Sequence, residues 1–415
     1  MASPHRSFLP FRPCPRFLRL CGAGALLAIV LAAPAARAYE VNEALEVYGY
    51  MQMWVTLYEQ MEDARGLYQH PSGNEATAAT TGFSLSRLRV GARATLLRRI
   101  IELGLQVKLE DDPGVLDAWL AVKPWRWLSL QLGQFKIPGP YENLIDNRDL
   151  DFIERAAISS TMADYQLSRT PHPSSYFSGN RAYLRDLGAA LKGEIDIRRG
   201  FLRYVLMVGN GLGANLFIGG ATNKEFIITN KPQFFYGARL ELADLFGIVS
   251  LGGHFSYNRH DNIVLQSGRV VYDIDRMSAS GDLHVSIPWT GIRLGGLYAH
   301  GWVNDDFDGD GRADLTYYGY EARLLWDLTE LSRIAGKAPV AGDHTFEVGV
   351  RFENTTQMFN ESELWAKQND WTFGMTYMFR KMIKVQVNYV LRRTDDPADP
   401  ELDDDILFVN IQAGI

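Results

Sequence analysis

The sequence predicts an all-β fold, a 16-stranded antiparallel transmembrane β-barrel. Two features support this prediction along the whole chain. Segments of about 10 to 15 residues alternate apolar with polar or small side chains, and they are separated in turn by very short turns and long polar loops. Aromatic residues cluster at the ends of these segments, where a barrel meets the two membrane interfaces.

Sixteen alternating segments follow one another along the chain. They span residues 44–58, 82–97, 100–110, 115–123, 128–136, 183–197, 201–210, 232–243, 247–260, 273–287, 291–303, 315–328, 343–356, 370–381, 383–393 and 404–415. An even number of strands places both termini at the short-turn end, which faces the periplasm in bacterial barrels. A soluble β-sandwich or propeller is the alternative, but sandwich strands are usually shorter and no blade motif recurs here.

The first 38 residues predict a secretory signal peptide. Basic residues precede an apolar run from Leu20 to Ala33, and Ala36-Arg37-Ala38 offers the small residues that a signal peptidase reads. Both cysteines lie in this segment. The remaining domain, residues 39–415, therefore has no thiol, which excludes disulfides, cysteine nucleophiles and cysteine metal sites.

Removal of this segment makes the chain more acidic. It takes away five arginines and no acid, so 37 basic residues remain against 49 acidic residues. A strongly acidic balance argues against a nucleic-acid partner. Any preference for anions must then come from the positions of the bases.

Three arginines of the second strand share one face. In SLSRLRVGARATL, the side chains of Arg87, Arg89 and Arg93 lie opposite an apolar face. In a membrane barrel the apolar face meets lipid, and the arginines remain hydrated in the lumen. They either line the pore for anions or pair with carboxylates of neighbouring strands, for which Glu102 is available.

The same alternation assigns most charged strand residues to the lumen. The bases on this face are Lys192, Arg203, Arg239, Arg276, Arg293, Arg323, Arg351, Arg380, Lys384 and Arg392. The acids are Glu194, Glu241, Asp282, Glu321, Glu347 and Glu353. The excess of bases favours a lumen that prefers anions, while a weakly selective pore with interleaved charges remains the alternative.

Several stretches resemble the phosphate-selective porin O and P family. They are LRVGARATL on the second strand, DAWLAVKPWRWLSLQLGQFKIPGPYENL at 117–144, RDLDFIERAAI at 148–158 and RDLGAALKGEI at 185–195. The resemblance implies a typically trimeric channel in the outer membrane of a Gram-negative bacterium, with an inward-folded third extracellular loop. Residues 137–182 would be that constriction loop. The chain departs from the usual pattern by ending in Ile415, where such barrels usually end in an aromatic residue.

The resemblance also implies site residues for small anions such as phosphate. Arg87, Arg89 and Arg93 would form a basic ladder on the wall. Other bases would approach it from the fifth strand and the third loop, namely Lys136, Arg148, Arg155 and Arg169. Asp186 would face the lumen and orient one of these bases.

A second motif, DFDGDGRAD at 306–314, resembles the calcium loops of integrin-type repeats. Oxygen ligands would come from Asp306, Asp308, Asp310, Asp314 and the carbonyl of Arg312, and the two glycines permit the tight curl. We expect a bound Ca²⁺ there to have a structural role. An ordinary acidic turn is the alternative.

No catalytic motif is evident, so the sequence does not predict an enzyme. The favoured function is passive diffusion of small solutes, with a preference for anions such as phosphate. A porin for sugars or organic acids would need an aromatic track, for which candidates exist. These are Trp119, Phe135, Tyr141, Tyr165, Tyr176 and Phe177. A calcium-dependent surface adhesin is a further alternative.

Overall fold

The computed structural model describes most of the chain after the N-terminal segment. The described residues are 40–42, 45–58, 82–97, 99–110, 113–167, 184–211, 226–228, 234–260, 263–265, 270–271, 274–305, 315–330, 343–359, 363–395 and 405–415. The expected signal peptide, residues 1–38, lies outside this set.

Sixteen long strands form the main sheet of the described chain. They are β1 (Leu45–Tyr58), β2 (Gly82–Leu96), β3 (Ile101–Lys108), β4 (Gly114–Trp125), β5 (Leu128–Lys136), β6 (Arg185–Ile197), β7 (Gly200–Gly209), β8 (Phe235–Leu245), β9 (Val249–His260), β10 (Ile274–Ile287), β11 (Ile292–Asp305), β12 (Leu315–Asp327), β13 (His344–Phe359), β14 (Glu363–Phe379), β15 (Ile383–Asp395) and β16 (Ile406–Gly414). The short strand Glu40–Asn42 pairs with β1.

The sheet closes on itself. Each strand pairs antiparallel with the next one in the chain, and β16 pairs back to β1 from Tyr50↔Gly414 to Tyr58↔Ile406. Closure satisfies the backbone hydrogen bonds of both edge strands, as a membrane requires. The predicted 16-stranded antiparallel barrel is therefore confirmed. Three short strands, Phe226–Ile228, Ile263–Leu265 and Val270–Val271, form a separate small sheet.

The two faces of the barrel differ in the way that the alternation predicts. Outward side chains such as Leu103, Leu105, Leu130 and Leu132 are apolar and exposed. Inward positions instead carry polar, charged and aromatic side chains, many of them buried within the barrel. No helix among the described residues is long and apolar enough to cross a membrane.

The hairpin of β13 and β14 is longer than the sequence predicts. β14 begins at Glu363 rather than at residue 370, and pairs such as Thr356↔Lys367 continue the ladder. A strand needs only about 9 to 11 residues to cross the hydrocarbon layer. The additional stretch, ELWAKQN, is not constrained to alternate, so its sequence resembles a loop.

Two turns also differ from the prediction. β4 runs to Trp125, so its turn lies at Arg126 and Trp127 rather than at residues 123–125. Arg380, predicted to face the lumen, lies in the β14–β15 turn and forms a hydrogen bond of 2.8 Å to Asp343. Arg380 and Lys381 have φ of 51° and 57°, the left-handed conformation that matches the twist of a tight hairpin. Arginine and lysine seldom adopt this conformation, so the sequence does not indicate the turn.

The connection from β5 to β6 is the longest loop that the sequence predicts. The structure describes two helices and a 3-10 turn within it. Helix α1 spans Tyr141–Leu144, a 3-10 turn spans Asn147–Asp149, and helix α2 spans Ala157–Leu167. Residues 168–183 lie outside the described part.

A close contact between an inward tyrosine and a glycine leads to a stability prediction. Tyr48 pairs with Gly91 on β2, and a Cβ on Gly91 would lie 2.4 Å from the tyrosine Cζ. We expect Gly91→Ala to lower the free energy of unfolding by about 1 to 3 kcal/mol, because the ring must move. Gly82→Ala is the matched control, since nothing lies within 4 Å of its added Cβ. Urea unfolding in lipid vesicles measures both, and equal midpoints would contradict the prediction.

Candidate functional site

The three arginines of β2 face the lumen beside a column of aromatic residues on β1. Each guanidinium lies over the ring of one aromatic residue. The distances from Cζ to the ring centroid are 4.9 Å for Arg87 and Trp54, 6.0 Å for Arg89 and Tyr50, and 5.4 Å for Arg93 and Tyr48. A guanidinium that packs its face on a ring keeps its N–H edge free for other partners.

The hydrogen-bond partners of these arginines differ. Arg89 forms an ion pair with Glu110, at 3.3 Å between Nε and Oε1. Arg87 donates from Nη1 to the neutral Oε1 of Gln52 at 2.7 Å. Within the described chain, no carboxylate lies within ion-pair distance of Arg87 or Arg93. The ladder is therefore only partly neutralised.

Two further bases hold the backbone of the β5–β6 loop. Lys136 donates from Nζ to the carbonyls of Leu144 and Ile145, at 3.1 and 2.7 Å. Arg155 donates to the carbonyls of Glu142 and Ile145, at 3.1 and 2.8 Å. Carbonyl oxygens satisfy these donors and leave the positive charges uncompensated.

Arg155 remains charged in this position. Burial, together with Arg185 and Arg89, lowers its pKa to about 10. The group is therefore protonated at neutral pH and adds to the positive charge of this side of the lumen.

Asp146 is a carboxylate at the centre of this basic region that the sequence did not indicate. It accepts a hydrogen bond of 3.1 Å from the hydroxyl of Tyr50. Burial alone would raise its pKa, but Lys136 and Arg89 overcome this effect and lower the pKa below 3.8. Asp146 is thus ionised at neutral pH and offsets part of the surrounding charge.

The charge of Asp146 should not change between pH 5 and pH 8. Because its pKa is depressed in the folded protein, the carboxylate is ionised above pH 3.8 and becomes protonated only as the pH falls further. We therefore expect Asp146→Asn to raise the ratio of anion to cation permeability by the same factor at pH 5 and pH 8. Reversal potentials of wild type and variant at both pH values measure this factor, and an effect that disappears at pH 5 would count against the assignment.

Of the remaining predicted site residues, Arg148 lies beside the β2 arginines. Arg148 follows Asn147 in the 3-10 turn and lies over the ring of Tyr48 at 5.7 Å. Asp186 is fully buried, and its Oδ2 accepts a hydrogen bond of 2.6 Å from the backbone N–H of Gly211. Arg169 lies outside the described residues.

The predicted calcium loop is not described by the structure. Its ligands Asp306, Asp308, Asp310, Arg312 and Asp314 all lie in the interval 306–314, between β11 and β12. Among the residues that are described, no group of three or more His, Cys, Asp or Glu could hold a metal ion. Calcium binding at 306–314 stays a prediction.

The wall formed by β8 to β15 has a different charge arrangement. Five of its inward arginines pair with carboxylates on the same or nearby strands. The pairs are Arg239 with Asp282 (2.6 Å), Arg293 with Glu347 (2.5 Å), Arg323 with Glu321 (3.2 Å), Arg351 with Glu353 (3.1 Å) and Arg392 with Asp370 (2.8 Å). The electrostatic potentials of two paired charges at these distances largely cancel a few ångströms away from the pair.

Carboxylates of the β5–β6 loop add to this compensation. Glu142 lies 3.4 Å from Arg323 and 3.7 Å from Arg351, and Asp151 lies 2.9 Å from Arg293. Loop acids therefore contact β11 to β13, while the loop bases Arg148 and Arg155 contribute positive charge on the β1–β2 side.

Backbone carbonyls of the loop bind a third part of the wall. Lys384 donates to the carbonyls of Arg148 and Leu150, and Gln386 donates to the carbonyl of Asp151. Arg239 donates to the carbonyl of Gly139 from the β8 side. The described loop thus contacts inward side chains around much of the barrel.

The described aromatic residues that could bind sugars along the pore have other contacts. Trp119 packs against a cluster of Phe135, Ile137, Ala190, Met207 and Phe235. Tyr141 contacts His284, with ring centroids 3.9 Å apart. Tyr176 and Phe177 lie outside the described residues, and the side chain of Tyr165 is not described.

The barrel is similar to solved outer-membrane proteins. OmpT of Vibrio cholerae matches with a TM-score of 0.57 at 10% identity, covering 92% of this chain and 100% of that chain. OmpF of Salmonella typhi matches with a TM-score of 0.57 at 12% identity, covering 91% and 100%. The outer membrane channel DcaP of Acinetobacter baumannii matches with a TM-score of 0.52 at 9% identity, covering 92% and 100%. At such identities the likeness establishes the fold alone.

The sequence comparisons identify the family. Among curated proteins, none matches the chain significantly. A family model described as Gram-negative porin matches residues 25–397, which is most of the chain. Together with the closed barrel, this match places the protein in the outer membrane of a Gram-negative bacterium. The chain belongs to the Gram-negative porin family.

Proposed function

We propose that this porin, a channel for the passive diffusion of small solutes, prefers anions such as phosphate and other small oxyanions. The single observation that carries the proposal is the uneven compensation of charge in the lumen. Five inward arginines of β8 to β15 pair with carboxylates, whereas Arg87, Arg93 and Arg155 have no described carboxylate partner within ion-pair distance.

The arrangement suits transport better than tight binding. Guanidinium edges form directional hydrogen bonds to oxyanions, and stacking on the β1 aromatics fixes their orientation. Several such groups in series allow an anion to pass from one to the next. Asp146 and Glu110 reduce the total charge, which keeps the affinity at each position modest.

We propose further that residues 137–182 narrow the lumen as a constriction loop. The support comes from the contacts of residues 139–158 with inward side chains of β8, β12, β13 and β15. This position would bring Arg148 and Arg155 close to the path of the solute.

A homotrimer is the proposed assembly. One solved form of the similar protein OmpT from Vibrio cholerae is described as a trimer. Crosslinking in native outer membranes tests the assembly, and a single band at the monomer mass would contradict it.

The test of anion preference removes two unpaired lumen charges. Arg87→Gln together with Arg93→Gln should lower the ratio of anion to cation permeability in planar bilayers under a chloride gradient. The control is Arg199→Gln with Arg380→Gln, which removes two exposed charges from short turns. An equal ratio in wild type and the lumen variant would contradict the proposal and favour the sugar or organic-acid alternative.

A further inference from the structure

We propose that Arg93 and Arg148 form one discrete site that binds a single oxyanion group, a carboxylate or a phosphate, above the ring of Tyr48. The inference rests on the proposed anion preference and deepens it. It identifies which of the lumen bases act together as a binding site.

The ring of Tyr48 forms the floor of this site. Tyr48 is 8% exposed, and its ring lies across Gly91, where a Cβ would come within 2.4 to 2.8 Å of Cζ, the hydroxyl oxygen and Cε2. One face of the ring therefore packs on the barrel wall. Groups that approach the other face do so from the lumen.

Two guanidiniums from separate parts of the chain meet at this ring. Cζ of Arg93, on β2, is 5.4 Å from the ring centroid, and Cζ of Arg148, on the loop, is 5.7 Å from it. The wall at Gly91 covers the other face, so both groups lie toward the lumen. Two like charges in this position repel each other, and an anion between them relieves the repulsion.

The donors of both arginines remain available. Arg93 is exposed, and no carboxylate of the described chain lies within ion-pair distance of it. The side chain of Arg148 is 37% exposed, and its Nε lies 3.4 Å from the adjacent Asp149. Its two Nη groups are thus not engaged by that contact. Arg89 differs, because Glu110 occupies its Nε.

The chemistry of the donors selects the class of ligand. Planar guanidinium forks match the two oxygens of a carboxylate or a phosphate, whereas chloride offers no such geometry. We therefore expect oxyanions to bind at the site and chloride to permeate without binding there.

The test measures block of the chloride current by added oxyanion. Phosphate and benzoate are titrated separately into wild type, Arg93→Gln, Arg148→Gln and the double variant, with Arg199→Gln, which removes an exposed charge from a short turn, as the control. Each single variant should weaken block by about tenfold, since each removes one charge-assisted contact. The double variant should weaken block further, because it removes both contacts. Two separate sites predict a different result, since each single variant would keep one intact site and weaken block by at most about twofold.

The outcomes separate this site from the proposed function. The anion that blocks at the lower concentration identifies the chemical source, phosphate or organic carboxylate, and either one supports the site. Single variants that weaken block by no more than about twofold, or a loss in Arg199→Gln equal to theirs, would overturn it. Anion-selective reversal potentials without block by either compound would also overturn the site while leaving the proposed function intact.

Discussion

Replacement of Glu142 with alanine is expected to raise the single-channel conductance and to strengthen the preference for anions. Glu142 is 4% exposed, and its carboxylate lies between Arg323 and Arg351 of the wall. Arg323 and Arg351 keep their pairs with Glu321 and Glu353, at 3.2 and 3.1 Å, so the substitution removes contacts between the loop and the wall. The loop would lose its main charged attachment to β12 and β13.

Glu142→Gln separates the loss of charge from the loss of the attachment. Glu142 also accepts a hydrogen bond of 2.9 Å from the backbone N–H of Ala156, which an amide oxygen can replace. The glutamine variant should therefore change selectivity as the alanine variant does, with a smaller change in conductance. Planar bilayer recordings of both variants measure the two effects. An unchanged conductance in Glu142→Ala would show that other contacts position the loop.

Asp282→Asn is expected to destabilise the barrel by about 1.5 to 3 kcal/mol, because the buried guanidinium loses its bidentate partner and keeps a carboxylate contact only with Glu241, at 3.2 Å. Asp282 accepts two hydrogen bonds from Arg239, at 2.6 and 2.8 Å, and both side chains are buried. The pair joins β8 to β10 across β9. It fits there because Gly252 has no side chain, and a Cβ would lie 2.2 Å from Arg239 Nη2.

A double variant provides the matched control for this pair. Arg239→Met with Asp282→Leu removes both charges of the pair, and Glu241 keeps its contact with Arg203 at 3.3 Å. Its midpoint of urea unfolding should lie close to that of wild type, while Asp282→Asn lowers the midpoint. A double variant as unstable as the single one would show that packing, rather than charge compensation, explains the cost.

The strands and their inward faces could be predicted from the sequence because a barrel wall has two contrasting environments. Lipid on one side and the lumen on the other impose a period of two, and this period is local. The inward placement of Arg87 or Arg239 follows from it directly. Where a strand extends beyond the membrane, as in β14 from Glu363, the contrast weakens and so does the signal.

The partners of the lumen charges could not be predicted in the same way. Glu142 meets Arg323 across 181 residues, and Tyr50 meets Asp146 across 96 residues, through a loop whose path no local pattern encodes. The sequence does not identify Asp370 as an inward acid, because Asp370 is the first residue of its predicted strand and no alternation precedes it. The stacking of the β2 arginines on β1 aromatics depends on the strand register, which the sequence left open.

The most direct test of the central claim is the reversal potential of the wild-type porin in a planar bilayer under a potassium chloride gradient. Five arginines of β8 to β15 are paired with carboxylates, while positive charge is in excess near β1 and β2. This arrangement predicts a potential with the sign of chloride permeation. A potential of zero, or one with the sign of potassium permeation, would contradict the account.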